Sequence, residues 1–123
     1  MQYDYDDQNI FAKILRGEIP NDTVAETDHT LAFNDITPQA PVHVLVIPKG
    51  AYVTADDFAM NASDAEIVDF WRTAAQIARD RDVATSGYRI ISNAGSDGHQ
   101  EVPHFHLHIA GGHALGRMLD KRM

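Results

Sequence analysis

The chain has 123 residues, and its 10 lysines and arginines against 18 aspartates and glutamates give a formal net charge of −8. The length fits one domain, residues 1–123, with a tail at about 113–123. Because no stretch is rich in Lys or Arg, a nucleic-acid polymer is not expected as a partner. The absence of cysteine excludes disulfides, cysteine-ligated zinc and iron–sulfur clusters.

The chain also lacks an apolar run long enough to cross a membrane. Its first seven residues, Met-Gln-Tyr-Asp-Tyr-Asp-Asp, are acidic and polar, unlike a signal peptide. We therefore expect a cytoplasmic protein that does not associate with membranes.

The first predicted element is a short amphipathic helix over residues 9–16. Apolar residues recur there at helical spacing, Asn9 can cap the start, and Gly17 follows the end. Two short strands are predicted next, at 22–28 and 30–36, with a turn at Asp28-His29. A loop with two prolines at 37–41 leads into a buried strand at 42–48, which is rich in β-branched residues.

The pattern predicts one long helix over residues 63–82. Ser63 and Glu66 form a capping box, and an apolar stripe comprises Ile67, Phe70, Trp71, Ala74, Ile77 and Ala78. A strand at 87–93, a glycine-bearing loop at 94–101, a last strand at roughly 103–110 and a break at Gly111-Gly112 follow. This order of elements indicates an α+β fold with a mainly antiparallel sheet.

The last strand contains a row of three histidines in strict alternation. His104, His106 and His108 are separated by Phe105 and Leu107. Successive side chains of a strand point to opposite faces, so the three imidazoles are expected on one face, about 6–7 Å apart. Such a row is costly to bury and points to chemistry rather than packing.

Two chemistries fit the row. One is a metal site in which His43 or His99 supplies a further ligand. The other is covalent catalysis at phosphorus, with a neutral imidazole as nucleophile and a neighbour that supports an anion. The loop between Asn93 and the row favours phosphate, because its glycines let backbone N–H groups approach an oxyanion. The alternation alone does not separate the two.

The row resembles the histidine triad motif, His-φ-His-φ-His-φ-φ, of the HIT superfamily of nucleotide hydrolases and transferases. Three further blocks, at 10–20, 31–49 and 93–102, are similar to the Hint branch and occur in the same order. The resemblance covers residues from about 9 to 112.

The resemblance implies a single HIT domain with a five-stranded sheet, one long helix and a short N-terminal helix. It implies a homodimer with a ten-stranded sheet, and a metal-independent, cofactor-free purine nucleoside phosphoramidase. The substrates would be of the AMP–amine or aminoacyl-AMP type, and the nucleotide AMP or GMP. The alternatives are a nucleotide-binding or regulatory module with incidental hydrolysis, and a dinucleoside polyphosphate hydrolase.

The resemblance also assigns roles to individual residues. His106 would attack the α-phosphorus, His108 would contact the phosphate or help protonate the leaving group, and His104 and His43 would orient the others. Asn93, with backbone groups near Gly98, Glu101 and Val102, would hold the phosphate. Asp35 would bind the ribose hydroxyls, and the base would lie among Ile10, Phe11, Ile14, Phe33 and Ile36.

The chain departs from the family pattern at three positions. Glu101 stands where some members have serine, Asn34 replaces a frequent histidine, and His99 replaces a frequent glycine. A catalytic role for the Glu101 side chain is therefore not assigned.

Overall fold

The computed structural model describes residues 3–120. It contains a five-stranded antiparallel sheet in the order β1-β2-β3-β5-β4. The strands are β1 (Thr23–Glu26), β2 (Thr30–Asn34), β3 (Val42–Pro48), β4 (Tyr88–Ile91) and β5 (Leu107–Gly111). The helices are α1 (Ile10–Leu15), α2 (Ala55–Asn61) and α3 (Asp64–Asp80). The predicted α+β class and sheet are confirmed.

Caps define the helices as the sequence predicts. The Asn9 side chain accepts hydrogen bonds from the first turn of α1, and Ser63 and Glu66 form the capping box of α3. The sequence analysis did not predict α2. This helix begins after Thr54, whose hydroxyl accepts from the Asp57 N–H.

Each face of the sheet carries its own apolar cluster, because side chains alternate along the strands. One face packs on α2 and α3 through Phe58, Phe70 and Ile77. The other packs on α1, where Phe11 and Ile14 meet Phe33, Leu45 and Ile47. Trp71 belongs to the predicted apolar stripe of α3, but it is 45% exposed.

The last strand differs most from the prediction. We expected it at 103–110, but β5 begins at Leu107, and Gly111 belongs to the strand rather than to the break, which starts at Gly112. His104 and His106 therefore precede the strand. The side chains still alternate, since Phe105, Leu107 and Ile109 all join the cluster against α3.

The ends of the chain add no further helix or strand among the described residues. Positions 113–120 of the predicted tail lie outside regular structure, and 121–123 lie outside the described residues. Within the described residues, no helix is both long enough and apolar enough to cross a membrane.

Candidate functional site

A cavity of about 470 Å³ opens on the α1 side of the sheet. It lies between α1, the end of β2 and the segment that leads into β5. Most residues that the sequence assigned to nucleotide binding or catalysis line it together: Ile10, Phe11, Ile14, Phe33, Asp35, Ile36, Asn93, Glu101, Val102, His106 and His108.

Three of the residues assigned to catalysis or nucleotide binding do not line the cavity, and four residues without such an assignment do. His43, His104 and Gly98 are not among the lining residues, whereas Asn34, Thr37, Leu45 and His99 are. Leu45 could have been found, since it is two positions beyond His43 and thus shares its face of β3.

Gly98 allows a close approach of the backbone within the loop. A Cβ at this position would lie 2.5 Å from the carbonyl oxygen of Ala94, so only glycine fits without a shift of the backbone. His99 has a φ of +58°, which explains why glycine is favourable there.

His104 is fully buried and both ring nitrogens are hydrogen-bonded. Its Nε2 lies 2.8 Å from the carbonyl oxygen of Pro48, and its Nδ1 lies 2.6 Å from the hydroxyl of Tyr5. Burial lowers the pKa of His104 to about 4, so the ring is neutral at pH 7. A carbonyl only accepts, so the single ring proton is on Nε2.

His106 has one occupied and one free ring nitrogen. Its Nδ1 lies 2.7 Å from the carbonyl oxygen of His104, so Nδ1 carries the proton and donates it. Burial lowers the pKa of His106 below its ordinary value, which keeps the ring neutral. The lone pair is therefore on Nε2. This nitrogen has no hydrogen-bond partner among the described residues. It is accessible from the cavity, because no described residue has a side-chain nitrogen or oxygen that is both buried and unpaired.

The backbone and ring of His106 are fixed by further contacts. Its carbonyl oxygen accepts a 2.8 Å hydrogen bond from the Ser92 hydroxyl. The Phe11 ring packs edge-on against its imidazole, with centroids 4.9 Å apart. Sequence reasoning missed Ser92, because its contact joins the residue after β4 to the residue before β5 and has no local signature.

His43 and His108 form a chain of oriented imidazoles. The Gln39 N–H donates to His43 Nδ1 at 3.0 Å, so the proton of His43 is on Nε2. His43 Nε2 lies 2.9 Å from His108 Nδ1, which therefore accepts. Burial is the main reason why the pKa of His108 falls to about 4, and the neighbouring His106 and His43 lower it further. The remaining nitrogen of His108, Nε2, carries its proton.

Asp35 is shared between a turn and the histidine chain. One carboxylate oxygen accepts from the Thr37 N–H at 2.8 Å, and the other lies 3.4 Å from His43 Nε2. Among the described residues, the ligand atoms of Asp35, His43 and His108 lie within 4.8 Å of one another, so these three are the candidate metal ligands. The direct bond between the two histidines would have to open for a cation to bind both.

The loop before β5 is tied down by Gln100. Its side chain accepts from the Gly95 N–H and donates to the carbonyl oxygens of Val53 and Val102. The N–H groups of Glu101 and Val102 make no hydrogen bond within the described part of the chain. They are two donors at the edge of the cavity that remain available to an anion.

The described cavity wall contains no lysine or arginine. Its acidic side chains are Asp35 and Glu101, and a Glu101 oxygen lies 3.0 Å from His99 Nε2. An anionic group in this cavity would therefore be held by N–H donors and imidazoles rather than by fixed positive charges.

Comparison with known proteins places this geometry in a family. The model of the HIT domain matches residues 16–115. The chain belongs to the HIT family. The resemblance seen in the sequence is thereby confirmed, and the histidine row of this HIT protein is the family's triad.

Relatives match the HIT chain over nearly its whole length. A 13.2 kDa HIT-like protein of Azospirillum brasilense is 56% identical over 117 residues, 95% of this chain and 96% of that protein. The purine nucleoside phosphoramidase of Escherichia coli K12 is 43% identical over 113 residues, 92% of this chain and 94% of that protein. The crystal structure of a HIT family hydrolase from Legionella pneumophila has a TM-score of 0.80 and 41% identity, and the match covers 89% of this chain and 96% of that one.

Proposed function

We propose that this HIT protein is a purine nucleoside phosphoramidate hydrolase that works through a covalent nucleotidyl-histidine on His106. The observation that carries the proposal is the free Nε2 lone pair of His106, fixed by the Nδ1–H bond to the His104 carbonyl. The phosphoramidase of Escherichia coli, at 43% identity, supports the choice of a P–N bond.

The cavity offers separate ends for a nucleoside and a phosphate. Phe11, Ile14 and Phe33 provide an apolar slot for a purine, either adenine or guanine. Asp35 lines the cavity, and its carboxylate would accept a ribose hydroxyl. At the other end, the Asn93 side chain and the N–H groups of Glu101 and Val102 would hold the phosphoryl oxygens.

The first chemical step exchanges one P–N bond for another. His106 Nε2 attacks the α-phosphorus, and the bond from phosphorus to the amine breaks with its electron pair on the amine nitrogen. The amine takes a proton from water. In the second step water attacks the nucleotidyl-histidine, AMP or GMP is released, and the water's proton passes to solvent. With an aminoacyl-AMP, the departing carboxylate needs no proton.

His108 acts as a hydrogen-bond donor to a phosphoryl oxygen. Its single ring proton is on Nε2, and loss of that proton would leave an imidazolate. We therefore assign His108 to stabilising the developing charge rather than to protonating the leaving group. His43 orients it through the 2.9 Å contact.

We also infer a homodimer in which β4 pairs with its copy to give a ten-stranded sheet. β4 is an edge strand, and α3 packs over β1, β2 and β3. Ile90 and Tyr88 are therefore left 42% and 37% exposed. An uncovered apolar edge strand favours pairing with another strand.

The test is hydrolysis of a fluorogenic adenosine phosphoramidate with and without EDTA. We expect full activity in EDTA and a loss of at least about 1000-fold in His106→Ala. His29→Ala, which lies in the turn between β1 and β2 outside the cavity, is the matched control and should retain activity. Activity that EDTA abolishes, or that His106→Ala retains, would contradict the mechanism.

Two further measurements separate the proposal from its alternatives. Intact-mass analysis after a rapid quench should show one nucleotidyl adduct on the wild type and none on His106→Ala. Faster turnover of a dinucleoside polyphosphate than of the phosphoramidate would instead assign the protein to dinucleotide hydrolysis. Nucleotide binding without turnover of either would indicate a binding module.

A further inference from the structure

The segment before α1 carries two tyrosines whose hydroxyls reach distant parts of the chain. Tyr3 donates to the exposed Asp56 at 2.6 Å. The hydroxyl of Tyr5 lies 2.6 Å from Nδ1 of His104, 99 positions away, and their rings meet edge-on with centroids 5.5 Å apart. Tyr5 does not line the cavity.

The direction of the hydrogen bond between Tyr5 and His104 follows from the other partner of the imidazole. The Pro48 carbonyl can only accept, so His104 Nε2 holds the proton. The neutral ring then presents a lone pair at Nδ1. Burial raises the pKa of Tyr5, so its hydroxyl keeps its proton at neutral pH and donates to that lone pair.

His104 transmits this arrangement to His106 through its own main chain. The ring of His104 is held between Tyr5 and Pro48, and the carbonyl of the same residue accepts the Nδ1–H of His106. Without the tyrosine hydroxyl, Nδ1 of a fully buried ring loses its partner. The Pro48 carbonyl still keeps the proton on Nε2, but the ring is then held from one side only, and a turn of the ring displaces the carbonyl of the same residue.

We propose that Tyr5 is a positioning residue for the nucleophile: its hydroxyl fixes the orientation of His104, whose carbonyl holds His106 with its Nε2 lone pair free. The inference rests on the proposed function for its kinetic consequence. It does not rest on it for the state of the histidines, which exists without substrate.

The test compares Tyr5→Phe with Tyr3→Phe. Both variants remove one hydroxyl from the same segment and keep the ring, but only Tyr5 contacts the triad. We expect kcat of Tyr5→Phe to fall about tenfold, since small displacements of reacting groups slow chemistry strongly. KM should stay within about twofold. Tyr3→Phe should match the wild type in both constants.

Nitrogen-15 NMR of histidine-labelled protein provides a readout that stability alone would not move. In the wild type and in Tyr3→Phe, His104 and His106 should show one protonated and one bare ring nitrogen each, with the His104 proton on Nε2. In Tyr5→Phe, the Nδ1 signal of His104 should shift and the Nδ1–H signal of His106 should change with it. Circular dichroism should show all three proteins folded.

The outcomes separate this inference from the proposed function. The role of Tyr5 is overturned if the NMR pattern of Tyr5→Phe equals that of the wild type. It is also overturned if the wild type is active and Tyr5→Phe has the same kcat. If the wild type turns over no phosphoramidate, the proposed function fails. The histidine signals then still decide whether Tyr5 orients the triad.

Discussion

At the scale of single residues, the three histidines of the triad have unequal surroundings. His104 has both ring nitrogens bonded within the protein, His108 has one bonded to His43, and His106 has one bonded to a carbonyl. Only the last arrangement leaves a lone pair free on a neutral ring. Sequence alternation alone gives the three positions equal weight, and the hydrogen bonds distinguish them.

The pH dependence of kcat/KM should reflect the burial of His106. The proposed nucleophile must be unprotonated, and burial lowers its pKa below the ordinary value of 6.5. As the pH falls, activity should therefore persist through 6.5 and decline at more acidic pH, because the lone pair is lost only when Nε2 takes a proton. The profile should be measured in buffers of constant ionic strength.

The control for this profile is the uncatalysed hydrolysis of the substrate, which is subtracted at each pH. Circular dichroism at the same pH values should show that the protein remains folded. A midpoint of the acidic limb at or above 6.5 would mean that the environment of His106 does not disfavour its protonated form.

At the scale of elements, the stability of the short helix α1 affects the geometry of the cavity. This helix has six residues, and it supplies Phe11 and Ile14 to the wall of the cavity. An isolated helix of this length is not stable in water, so its cap and its packing on the sheet maintain it. The position of Phe11 against His106 therefore depends on Asn9.

Asn9→Ala should weaken both stability and nucleotide binding. The side chain of Asn9 accepts from the N–H groups of Phe11 and Ala12, and loss of such a cap costs about 1 kcal/mol of unfolding free energy. Because α1 forms one wall of the cavity, we expect KM to rise several-fold. Urea unfolding and steady-state kinetics measure the two effects.

Ser63→Ala is the matched control for the cap of α1. It removes the cap of α3, whose buried residues face the opposite side of the sheet, and should lower stability by a similar amount. Its KM should equal that of the wild type. An equal change of KM in both variants would show that general destabilisation, rather than α1, sets nucleotide affinity.

Local patterns predicted most elements, and the errors arise where such a pattern is weak or where a distant contact intervenes. The capping box of Ser63 and Glu66 and the β-branched run of β3 are local, and both elements are present in the structure. The start of β5 was misplaced because the backbone before it bonds outside the sheet: the Phe105 N–H donates to the carbonyl oxygen of Tyr52 rather than to β3. The α2 helix was missed although Thr54 caps it, since its seven residues contain little apolar periodicity.

The same distinction applies to the candidate site. The residues of the cavity wall were predicted largely through the family resemblance, which records which positions meet in space. Ser92 and Tyr5 act through hydrogen bonds to the triad segment, and neither belongs to a recognisable motif. The tautomers of the histidines depend on the carbonyl or N–H group that each ring nitrogen meets and cannot be derived from sequence.

At the scale of the whole molecule, apolar side chains outside the cavity are exposed on β4 and on α3. Ile90 of β4 is 42% exposed, and Val68 and Trp71 of α3 are 46% and 45% exposed. Since Ile90 is the cross-strand partner of Ile109, it points to the side of the sheet that α3 covers elsewhere. The proposed dimer would bury this strand.

Ile90→Lys should convert the proposed dimer into a monomer. The substitution places a charge on the strand that would pair with its own copy, and two such charges would face each other across the interface. Analytical ultracentrifugation should show a loss of half the mass. Met60→Lys, at an exposed position of α2, is the control and should leave the dimer intact. A wild type that sediments as a monomer would contradict the dimer itself.

The lack of lysine and arginine in the described cavity wall bears on how a turnover cycle ends. Cleavage would convert a phosphoryl group with one negative charge into a phosphate monoester whose second ionisation lies near pH 6. The charge on the bound nucleotide therefore grows in a cavity that holds Asp35 and Glu101 but no fixed cation. Electrostatic repulsion would then favour departure of the product. The composition that limits the affinity of the cavity for anions would therefore also limit inhibition by the product.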